Sequence, residues 1–407
     1  MPSSKGLFDI TGPTHMMAKT GDGTSPTKTI EIDWDNEEHR RCITACLVKG
    51  TYVLESDRTN GRQEPANALA PAWWESFHFG RLPFRVLECE CECALCKIGR
   101  HIVAGRSQGF IYGAIFEYVP PDGSRRHPSA PSYIVAFRGT MRRDATTLGD
   151  MRLDLRILLN AHHSCGRFSH AREEVRNFLD SVREATPPGA GSPAVWLAGH
   201  SLGASIALDV GRDIMANNRK LNLPTFLFNP PQVSPAAVIN DNLPMAGVAK
   251  RGLHTSSYIL KHGLGKVLKP HKKNMEEQFE QLSPWVPNLY VHQRDLICKG
   301  FIDYFEQRER VRERFPRVAA SGTTLSYRDM CRSVLFGTQN ERPHLLPSAM
   351  LWKNQSEGSD PHELRQRPAR APAVVAAPTR PGASVDPQVI QMACFNVDAW
   401  PYYMLFS

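Results

Sequence analysis

Apolar residues recur along this chain in two rhythms. Val195–Ala198 is a short apolar run set off by the turn-rich "TPPGAGSP" at 186–193, which suits a strand buried on both faces. Leu202, Ile206, Val210 and Ile214 then recur every fourth residue and predict one face of a helix. Further runs predict strands at "FIYGAIFEYV" (110–119), "SYIVAFRGT" (132–140), "PTFLFNPP" (224–231) and "PNLYVHQRD" (287–295), the first two joined by the turn "PPDGSRRHPSAP". Helical spacing covers 37–56, 147–160 and 168–184, and the aromatic cluster in "APAWWESFHF" (71–80) reads as core. Within 141–165, Leu148, Met151, Leu155, Leu158 and Leu159 form an apolar stripe. It suits either a helix packed on the sheet or a lid over a pocket. Strands alternating with helices after residue 130 predict an α/β fold, with a doubly wound, mostly parallel sheet and helices on both faces.

One such domain is expected over 1–364, interrupted at 84–108 by an irregular cysteine-rich insertion. From about 365 the chain turns Pro-, Ala- and Arg-rich, so 365–407 is expected to be a disordered tail. With 407 residues, 41% of them hydrophobic and 22% charged, the chain can bury a large core. The start lacks an apolar signal segment and no run approaches the ~20 apolar residues of a membrane helix, which predicts a cytoplasmic protein with mostly reduced cysteines. Cys89, Cys91, Cys93 and Cys96 crowd together near His101. A zinc site would want a second paired motif, so a reduced irregular loop is expected there and no metal.

Lys and Arg exceed Asp and Glu by 49 to 41. The excess is dense at "KHGLGKVLKPHKK" (261–273) and "RQRPARAP" (365–372). The first reads as a solvated basic loop, with a phosphate-bearing or membrane surface as the other reading. No nucleic-acid-binding motif accompanies the charge, so nucleic acid is not an expected partner.

The candidate chemistry sits in "VWLAGHSLGASIALDVGRDI" (195–214). The letters G-H-S-L-G are weak alone, but strand, sharp turn and helix around them describe a nucleophile elbow with Ser201 at its tip. Gly199 and Gly203 leave room for the turn, and the helix start at Leu202 offers backbone N–H groups to an oxyanion. The structural alternative is an ordinary strand-to-helix turn. Acyl transfer also needs a base and an acid, in the chain order Ser, acid, His. Asp295 follows the strand "NLYVH" directly and is the candidate acid, with a helix cap or turn as its structural alternative. Asp303 sits in a helical segment and fits less well, and Asp209 and Asp213 lie on the helix after Ser201. Only His344 and His362 follow Asp303. Thr140, closing the strand "IVAFRGT", is a candidate oxyanion donor.

These residues resemble the class 3 lipase branch of the α/β-hydrolases, and in particular a group of plant proteins often labelled GDSL esterase/lipase. The resemblance rests on "VAFRGT", "GHSLGA", "FDITGPTH", "DWDNEEHRRCITACLVKGTYVLESDR", "LAPAWWESFHF", "YGAIFEYVPP", "FLFNPPQVS" and "HLLPSA". No G-D-S-L block occurs in the chain. The resemblance implies hydrolysis of carboxylic esters, lipid acyl esters among them, without a cofactor. It implies Ser201 as nucleophile, Asp295 as acid and Thr140 as oxyanion donor, and it favours His362 over His344 as base. The family's Gln-Trp-Trp block after its histidine is missing from "PHELRQRPAR". A hydrolase-like binding protein without catalysis is the competing expectation, and peripheral membrane contact is a further one.

Overall fold

The computed structural model describes residues 12–13, 32–91, 109–121, 124–140, 165–187, 189, 191–218, 221–232, 246–295, 297–336, 345–354, 364 and 373–375. Among these residues eight strands form one sheet: β1 (Phe79–Cys89), β2 (Phe110–Tyr118), β3 (Tyr133–Phe137), β4 (Val195–His200), β5 (Thr225–Phe228), β6 (Asn288–His292), β7 (Ala349–Asn354) and β8 (Ala373–Val375). Pairing is antiparallel from β1 to β3, parallel from β3 to β7, and antiparallel again for β8. The helices are α1 (Glu37–Thr59), α2 (Ala72–Glu75), α3 (Gly166–Ala185), α4 (Leu202–Asn217), α5 (Ala246–Val267), α6 (Lys269–Leu282), α7 (Lys299–Arg314), α8 (Pro316–Gly322) and α9 (Tyr327–Phe336). The α/β expectation holds.

Successive strand residues point to opposite faces, and the core divides accordingly. Val135 and Phe137 of β3 join Val195 and Leu197 of β4 against Phe168 and Val175 of α3, Ile206 and Val210 of α4, and Phe301 and Phe305 of α7. Ile134 and Ala136, with Trp196 and Ala198, face the other way onto α1 and α2. An aromatic row crosses that second face, with Phe228 stacked on Tyr290 and Tyr290 on Trp352. Strand order follows chain order without reversal, which corrects the expected double winding. The crossover helices α3, α4 and α7 share one face, and the other is covered by helices that precede the sheet in the chain.

Three further expectations change. Residues 84–89 belong to β1 rather than to an irregular insertion. The strand carries register shifts between Arg81 and Val86 and between Leu87 and Glu88, and these break the alternation by which strands are recognised. The basic segment 261–273 is helical, not a loop. It spans the end of α5 and the start of α6, interrupted at Leu268 before Pro270. Ala373–Val375, inside the expected tail, pairs with β7. The stripe at 148–159 and the cysteines at 93 and 96 lie outside the described residues.

Candidate active site

Ser201 belongs to two elements at once. Its N–H donates to Phe228 O (2.9 Å), extending the β4–β5 ladder, while its own carbonyl accepts from Ala204 N–H (2.9 Å) and opens α4. The chain must therefore turn within one residue, and Ser201 takes φ 54° and ψ −125°. That conformation costs a residue with a side chain of order 1–3 kcal/mol. The flanking glycines are sterically required. A Cβ at Gly199 would lie 2.4 Å from Gly203 O, and one at Gly203 would lie 2.3 Å from Phe137 O on β3. Ser201 is nearly covered, at 7% exposure.

The loop after β3 closes on this turn. A Cβ at Gly139 would meet the Ser201 Cβ at 2.8 Å and the Tyr52 hydroxyl at 2.6 Å. Tyr52, on α1, accepts from Gly139 N–H (2.7 Å), and its hydroxyl lies 2.8 Å from His200 Nδ1. Burial pushes the Tyr52 phenol up to about 12, so it keeps its proton at neutral pH. A chain of hydrogen bonds thus runs from the β3 loop through Tyr52 to His200, the residue before Ser201.

The other side of the Gly139 residue is held as well. Arg138 Nη1 donates to Gly139 O (2.8 Å) and Arg138 Nε to Ile111 O (2.5 Å). Its guanidinium stands 3.8 Å from Glu55 on α1. Burial lowers the Arg138 pKa to about 10, against the favourable charge of Glu55. Glu55, fully buried, also accepts from Arg58 Nε and Nη2 (2.8 and 2.9 Å) and from Ile111 N–H (3.0 Å). A trans peptide points its N–H opposite to its carbonyl. With Gly139 O turned to Arg138, the N–H of Thr140 points away from the guanidinium. Thr140 itself is exposed.

Asp295 lies three residues past β6 and is 5% exposed. Its Oδ1 accepts from Ile297 N–H (2.9 Å) and its carbonyl from Lys299 N–H (2.9 Å), so it also shapes the turn into α7. Since β3 to β6 are mutually parallel, Thr140, Ser201 with Leu202, and Asp295 all emerge at the same edge of the sheet. Asp209 and Asp213 turn away from it and pair with Arg172 and Arg176 of α3. His344 and His362 lie outside the described residues. Among the described residues no group of three metal-ligating side chains is assembled. Cys89 packs in the core and Cys91 Sγ accepts from Gly166 N–H (3.2 Å).

No protein-family model and no solved structure matches the chain. It is 33% identical over 377 residues to GDSL esterase/lipase At4g10955 of Arabidopsis thaliana, across 88% of this chain and 93% of that protein. The chain belongs to this plant esterase/lipase family. For an esterase/lipase relative, sequence reasoning missed Tyr52, Glu55, Arg138 and His200. A signal existed: Tyr52 and Glu55 stand three apart in the predicted helix, the spacing that puts two residues on one face. In "FRGT" the sequence singled out Thr140 but not Arg138 or Gly139, because Glu55 and Tyr52, which hold them, lie more than 80 residues away.

Proposed function

We propose that this protein is a serine esterase of the α/β-hydrolase type, close to class 3 lipases, that cleaves carboxylic esters including lipid acyl esters. The observation that carries the reading is the backbone of Ser201. A strained positive φ is held at a strand-to-helix joint by a residue with a hydroxyl, where glycine would fit without strain. In this reading Ser201 Oγ attacks the ester carbonyl and a histidine takes its proton. The N–H groups of Leu202 and Thr140 receive the oxyanion, joined by the Thr140 hydroxyl. The imidazolium returns the proton to the leaving alcohol, and water then releases the acid from the acyl-enzyme. Tyr52 and Arg138 act as positioning residues, fixing the Gly139 backbone and hence the direction of Thr140 N–H.

We assign the base to His362 and its orientation to Asp295. The chain leaves β7 at Asn354, on the Ser201 edge, and returns as the antiparallel β8. A connection that starts from that edge supports His362. By contrast, the approach to β7 runs past Ser283 and Pro287, at the start of β6 and the opposite edge, which disfavours His344.

Labelling with a fluorophosphonate probe and turnover of p-nitrophenyl esters test this. Ser201→Ala is expected to abolish both, and His362→Ala and Asp295→Asn to cut kcat by about 10⁴-fold or more, with His344→Ala close to wild type. A wild-type chain that neither labels nor turns over any ester favours the non-catalytic binding protein. Loss in His344→Ala alone reassigns the base.

A further inference from the structure

The basic segment that the proposed chemistry leaves unused lies on α5 and α6, and its surroundings are unusual. Among the described residues, every exposed large hydrophobic side chain except Val119 falls between 259 and 334. Four are on the last turns of α5: Ile259 (55% exposed), Leu260 (54%), Leu264 (37%) and Val267 (79%). At 100° per residue these four fall on one side of the helix. The opposite side is the one held in the fold. Tyr258 is buried against Val311 and Ala319, and a Cβ at Gly265 would lie 2.8 Å from Leu325. Lys261, which a solvated helix would send outward, lies instead over the rings of Tyr258 and Tyr327, at 5.2 and 5.3 Å. The helix therefore shows apolar side chains on both its inner and its outer face, and water is the wrong medium for the outer one.

Charge says what that medium is. From 242 to 275 the chain holds seven lysines and arginines and no aspartate or glutamate. Lys266 and Lys269 are exposed beside the apolar stripe, at the end of α5 and the start of α6, whereas Lys272 and Lys273 pair with Glu276 and Glu277 further along α6. We infer that this face docks on an anionic lipid bilayer, with Leu260, Leu264 and Val267 seated at the headgroup–acyl boundary and the lysines against lipid phosphates. A second copy of the chain fits poorly, because a twofold contact would set this cationic patch against itself. No helix among the described residues is long and apolar enough to cross a membrane, and docking by one face needs none. For an enzyme that acts on lipid esters, the same contact delivers the substrate.

Flotation of the full chain with vesicles tests the inference. One set is phosphatidylcholine alone and the other contains about a third phosphatidylserine. The chain is expected to float with the anionic vesicles and remain behind with the neutral ones, and to be released near 0.5 M salt, where the Debye length falls to roughly 4 Å. Lys266→Gln with Lys269→Gln should weaken binding about 25-fold, at roughly fivefold per cation. Leu260→Gln with Val267→Gln should weaken it tenfold or more with charge unchanged. All four positions are exposed, so circular dichroism and melting are expected to match the wild type. Ser201→Ala is expected to bind vesicles as the wild type does, which separates docking from hydrolysis. The inference is overturned if the wild type floats with neither vesicle, if the apolar pair binds undiminished, or if the apolar pair instead abolishes a dimer seen by gel filtration.

Discussion

At the scale of single residues, the turn at Ser201 is tightly constrained. Gly203 cannot accept a methyl group without moving α4 off β3, because the nearest atom is a backbone carbonyl that cannot rotate away. Gly203→Ala is expected to lower stability by about 1–3 kcal/mol and to remove probe labelling, read from urea unfolding and gel fluorescence on the same preparations. Relief of strain should run the other way. Ser201→Gly is expected to be more stable than Ser201→Ala by about 1 kcal/mol, since only glycine sits at φ 54° without penalty. Tyr52 adds a pH signature. Its folded-state pKa, raised to about 12 from an ordinary value of 10, means the native state holds this proton more tightly than the unfolded chain. The stabilisation is complete below pH 10 and is lost as pH rises from 10 towards 12. Tyr52→Phe should flatten that part of the stability profile while lowering kcat more than it raises KM. An unchanged profile would mean the hydroxyl is not buried as described.

Among the elements, α1 does more than cover the sheet. Three residues apart, Tyr52 and Glu55 reach the same loop, one through the Gly139 N–H and the other through Arg138 to the Gly139 carbonyl. Glu55→Gln would leave Arg138 buried without its carboxylate. Breaking a buried pair on one side costs about 3–5 kcal/mol, a large part of a typical 5–15 kcal/mol. A marked fall in the urea midpoint is therefore expected. A fall in kcat below the unfolding range would add that the loop has lost its set. The elements also mark where pattern reading works. α4 was legible because its apolar face repeats every fourth residue from Leu202 to Ile214. β1 was not, because two register shifts break its alternation. α5 and α6 were missed because α5 carries apolar side chains on two sides, which blurs the contrast by which an amphipathic helix is recognised.

Across the whole molecule, one order of strands brings distant segments to one edge. Thr140, Ser201 and Asp295 span 156 residues of chain yet leave adjacent or near-adjacent parallel strands from the same end. The sequence by itself determined the α/β class, the five strands from β2 to β6, the helices α1, α3 and α4, and the turn at Ser201. Each of these is local: a period of two or 3.6, a glycine beside a tight turn, a polar break between runs. The absence of double winding, the pairing of β8, the bond from Gly139 to Tyr52 across 87 positions, and the outward leucines of α5 were decided only in three dimensions. Burial and pairing there depend on which segment lies next to which, and the chain's local free energy carries no record of a neighbour it meets only after folding.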